Sequence, residues 1–150
     1  MYIDNNLYLM KIGGRPSDAT AWSSLWAATT NYSDSVDLAS TTNRSIAEGG
    51  YMVWRQGAAE TMTATGTLQV QLVCSAAATL GTDTVLWSTA VLTHAQIIAA
   101  MLINTIVWVV KIPQNIPLRY LGVAWIVGTD AMETTTADIF ITPDAPYPAV

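Results

Sequence analysis

Residues Thr67-Leu68-Gln69-Val70-Gln71-Leu72-Val73-Cys74-Ser75 alternate apolar and polar side chains for most of their length. A period of two places successive side chains on opposite faces of a β-strand. Leu68, Val70, Leu72 and Cys74 share one face, while Thr67, Gln69, Gln71 and Ser75 mostly take the other. One buried and one wetted face is the pattern of an antiparallel sheet. A strand of this kind is stable only beside other strands and beneath a second layer, so it dictates what its neighbours must supply.

Those neighbours are visible along the chain. Val36-Asp37-Leu38 is a short strand, and Tyr51-Met52-Val53-Trp54-Arg55 is another, separated by a Ser/Thr/Asn-rich loop ending in Gly49-Gly50. Val85-Leu86-Trp87 or Ala90-Val91-Leu92 supplies a further strand. Thr105–Lys111 is apolar on both faces, which places it in the middle of a sheet or under an interface. Leu118–Thr129 and Ala137–Thr142 read as two adjacent strands of a sandwich, the first closed by Gly128 and the second stopped by Pro143. Thr93 is placed to cap a short helix, His94–Leu102. Trp22, Leu25 and Trp26, spaced three and then one, share a segment of small polar residues that is either a short helix or an irregular loop. Tyr2–Met10 is either an edge strand or an arm lying on a neighbour. The chain is expected to be a single all-β domain over residues 1–150, a jelly roll or antiparallel β-sandwich with one short helix. An N-terminal arm over 1–12 and a Pro-rich tail over 143–150 are both expected to be extended.

Hydrophobic residues make up 51% of the chain and charged ones 11%. An ordinary domain carries roughly 25% charged residues. A monomer this poor in charge has difficulty covering its exterior, so it either enters a membrane or buries surface against other polypeptides. The best membrane candidate, Val91–Val110, is interrupted by His94, Gln96, Asn104 and Thr105. It falls short of the about 20 largely apolar residues a spanning helix needs. Assembly is the expectation, with no membrane partner. The net charge of −5 argues against nucleic acid, which calls for basic clusters. Met1–Asn6 lacks a basic stretch before an apolar core, so no signal peptide is expected. With Cys74 as the one cysteine there is no intrachain disulfide, so the chain is expected either to fold in a reducing cytoplasm or not to depend on oxidation.

Catalytic signatures are absent. His94 is the single histidine, and no nucleophile elbow, zinc helix motif or nucleotide-binding glycine loop accompanies it. Asp34 with Asp37, and Asp130 with Glu133, are the nearest carboxylate pairs, too sparse for a calcium loop. No enzyme activity, metal or cofactor is expected. Cys74 lies on the apolar face of its strand and reads as a small core hydrophobe. Among the tryptophans, Trp108 and Trp125 read as core, and Trp22 and Trp26 as contacts for a partner.

Arg119-Tyr120-Leu121, Val127-Gly128-Thr129, the acidic-polar link after them and the closing strand resemble the last third of the capsid cement proteins of short-tailed phages, the Bordetella-phage type. Tyr2-Ile3-Asp4-Asn5-Asn6-Leu7 is similar to the opening of that family, and Val36-Asp37-Leu38 to its first core strand. The likeness covers about half the chain in separated patches. Gly13–Asn31 departs from it, as do Gly122 and Trp125, where bulkier and polar residues respectively are expected. The resemblance implies a jelly-roll protein without enzymatic activity, made in the host cytoplasm and placed on the outer surface of the virion. It implies two partners, the major capsid protein and further copies of the chain as a dimer or trimer. The contact residues expected on this reading are Tyr2, Ile3, Leu7 and Tyr8 in the arm, Trp22 and Trp26, and Tyr147 in the tail. The alternative is a carbohydrate-binding jelly roll of a tail or spike, with exposed tryptophan as its stacking platform.

Overall fold

The computed structural model describes residues 8–10, 28–38, 50–62, 65–129 and 137–143. Ten strands and one helix occur among them. The strands are β1 (Tyr8–Met10), β2 (Thr30–Tyr32), β3 (Val36–Asp37), β4 (Tyr51–Gln56), β5 (Thr67–Ser75), β6 (Asp83–Ser88) and β7 (Leu92–Thr93). Helix α1 (His94–Ala100) follows, and then β8 (Ile106–Lys111), β9 (Tyr120–Gly128) and β10 (Ala137–Thr142).

Every pairing is antiparallel. One sheet has the order β1-β10-β4-β8, and the other β2-β9-β5-β6, with β3 also on β9 and β7 also on β5. Taking β2 with β3, and β6 with β7, as one position each leaves eight positions. Their order is then 1-8-3-6 in one sheet and 2-7-4-5 in the other. That is a jelly roll, and the expected fold class holds.

The alternating stretch behaves as its pattern requires. β5 covers Thr67–Ser75, and Leu68, Val70, Leu72 and Cys74 are fully buried. Its neighbour β9 sends Leu121, Val123, Trp125 and Val127 into the same core. From the opposite sheet come Met52 and Trp54 of β4, Val110 of β8, and Ala137, Ile139 and Ile141 of β10. Burying a side chain of this size contributes about 1.5–3 kcal/mol, so these rows are the main favourable term holding the sheets together.

The helix forms where Thr93 predicts it. The Gln96 side chain reaches back to accept from the Thr93 backbone N–H at 2.9 Å, which ties the first turn down. Ile97 is its one buried residue, and the helix ends at Ala100, one half-turn earlier than expected.

Two expectations are corrected, and two readings left open are decided. β9 and β10 follow one another in the chain but lie in different sheets. Among the described residues β8 is at a sheet edge, so of its two readings the middle of a sheet is excluded. The outer face of β5 is wetted only at its start, since Val73 and Ser75 are buried. Of the two readings of Tyr2–Met10, Tyr8–Met10 takes the edge strand and not the arm, on β10 of its own chain with Tyr8 opposite Phe140. The remainder of the arm and of the tail lies outside the described residues.

Leu80 lies over the outer face of the β5 sheet, above the cross-strand partner of Val73. Gly122 stands opposite Val73 on β9, and a Cβ there would overlap the Leu80 side chain. Leu80 is buried despite a left-handed φ of 40°, a conformation that is costly for a side chain of its size. Hydrogen bonds hold the layer down: Val123 N–H donates to Ser33 Oγ at 3.0 Å, and Ser35 Oγ–H donates to the Ala78 carbonyl at 2.8 Å. Gly122 is therefore a seat for Leu80, which explains a small residue where the resemblance leads one to expect a bulkier one.

Candidate functional site

Among the described residues the side chains with chemical potential are dispersed, and His94, Asp37 and Arg119 are tied into the fold. His94 Nε2 lies 2.9 Å from the Met62 carbonyl, which only accepts, so that nitrogen carries the proton and the ring joins the start of α1 to the chain before β5. Asp37 accepts from Arg119 Nε at 2.8 Å and from Arg119 Nη2 at 2.7 Å. This two-pronged pair fastens β3 to the residue preceding β9. Hydrogen bonding and the charge of Asp37 raise the Arg119 pKa, and the guanidinium also lies over the Tyr120 ring. Asp34 is exposed, while Asp130 and Glu133 lie outside the described residues. Cys74 is buried in the core, as its strand position implies. Among the described residues no three His, Cys, Asp or Glu side chains gather where they would hold a metal ion.

Among the described residues, Trp54, Trp108 and Trp125 form a column in the core. Trp54 meets Trp108 and Trp125 edge to face, with centroids 5.2 and 6.1 Å apart. Its indole N–H donates to Gln56 Oε1 at 3.1 Å, and the Gln56 amide donates on to the Ala58 carbonyl at 2.7 Å. Both polar groups are thereby satisfied in a dry core. Trp87 is half-buried and packs against the same cluster. Trp125, expected from the resemblance to be polar, is completely buried. Of the contact residues read from the sequence, Tyr2, Ile3, Leu7, Trp22, Trp26 and Tyr147 lie outside the described residues. Tyr8 is described through its backbone pairing alone.

A surface that the sequence reading touched only at Thr105–Lys111 is better defined. The exposed large hydrophobics among the described residues are Val85, Val91, Leu102, Ile103 and Val109. All five fall between β6 and β8. In this topology β6/β7 and β8 end their sheets on the same side of the sandwich, linked across it by α1. Residues 84–110 contain no Asp, Glu, Lys or Arg. Ile103 is 61% exposed and Leu102 is 50% exposed, both in the turn into β8. Natural edge strands are normally blunted by charge or proline. On β8, Lys111 at its end is the single charge, and Val109 is 38% exposed. A scan against protein-family models gives no match to this chain, and a search of curated proteins gives none either. No helix among the described residues is long and apolar enough to cross a membrane. The missing signal was legible as a charge-free run, but its exposure depends on β8 being an edge.

Proposed function

We propose that this chain is a structural virion protein that binds the outer surface of a tailed-phage capsid and clamps neighbouring major capsid protein subunits. The observation that carries this reading is the charge-free run 84–110, on which Val91, Leu102, Ile103 and Val109 are exposed. Scattered apolar residues are ordinary on a surface, whereas exposed ones gathered in one charge-free stretch favour a contact. The resemblance to capsid cement proteins supplies the kind of contact. The acidic balance suits an outer face, because a chain of net charge −5 has no attraction for packaged DNA.

Function on this reading requires no chemistry. Each oligomer of the chain touches more than one capsid subunit, so modest individual contacts add through effective concentration. The β-sandwich supplies a rigid body between them. The test is addition of the purified chain to capsid shells of the phage that encodes it, prepared without it. Co-sedimentation with the shells and a higher rupture temperature support the proposal, and a chain left in the supernatant with rupture unchanged contradicts it.

A further inference from the structure

We draw no further inference here: the strongest candidate, the apolar edge formed by β8 with Leu102 and Ile103 in the turn before it, has nothing in the structure to show whether a second copy or a foreign chain covers it.

Discussion

Trp54 and Trp125 come from opposite sheets and meet edge to face at 89°, with centroids 6.1 Å apart. This contact joins the two layers at a point where both indoles are completely buried. An edge-to-face pair adds about 0.5–1.5 kcal/mol beyond the area it removes from water. Trp125→Ala is expected to destabilise the fold by about 3–5 kcal/mol, since it opens a large cavity. Urea denaturation followed by tryptophan fluorescence measures the loss, and a change below about 1 kcal/mol would show that the contact is not a keystone of the core.

Gly122 and Leu80 make a second, smaller lock. Gly122→Ala is expected to cost about 1–3 kcal/mol, because the added methyl meets Leu80 and lies 3.2 Å from Ser33 Oγ. In the Leu80→Ala background the same substitution is expected to cost markedly less. A double-mutant cycle measures the difference, and simple additivity would mean that Leu80 is not what occupies the seat.

The local and the long-range parts of this fold differ in how far the sequence discloses them. The alternation of Thr67–Ser75 and the Thr93–Gln96 cap are short-range patterns, and both appear in the structure where the residues place them. Which sheet receives a strand is decided by pairings tens of residues apart, so β9 and β10 look adjacent in sequence and are not. β2 was hidden because Thr30-Asn31-Tyr32 carries no apolar alternation; it exists through pairing with Ala124–Ile126. Apolar residues on both faces of β8 meant either a central strand or a contact surface, and the sheet order removes the first option. The candidate contacts at Trp22 and Trp26 rest on residue type and on the small polar residues around them, neither of which carries geometry.

Tyr32 provides a pH test. Burial chiefly, helped by the negative charge of Asp83 and the hydrogen bond it accepts, raises the Tyr32 pKa above its ordinary 10.0. The folded state then holds the phenolic proton more tightly than the unfolded chain does. Its stabilising contribution is complete below pH 10 and is lost as pH rises through the raised value. Tyr32→Phe is expected to flatten the alkaline fall in stability without altering the neutral pH region in the same way. Denaturation midpoints from pH 8 to 12 check this, and identical alkaline slopes for the two proteins would contradict it.

The apolar side can be separated from the core by charge. Ile103→Lys combined with Val109→Lys places two cations on exposed positions and is expected to leave the circular dichroism spectrum and melting profile close to wild type. The same variant is expected to lose at least tenfold in affinity for capsid shells. Val85→Lys, on the β6 edge of the other sheet, shows how much of that loss is specific to β8.

The most direct measurement of the proposed capsid role is a cryo-EM reconstruction of virions of the phage proposed to encode this chain. The expected map shows the sandwich on the outer shell, bridging adjacent capsid subunits, with the face that carries Leu102, Ile103 and Val109 covered by protein. A shell lacking this density, or a bound sandwich whose uncharged side faces solvent, contradicts the account.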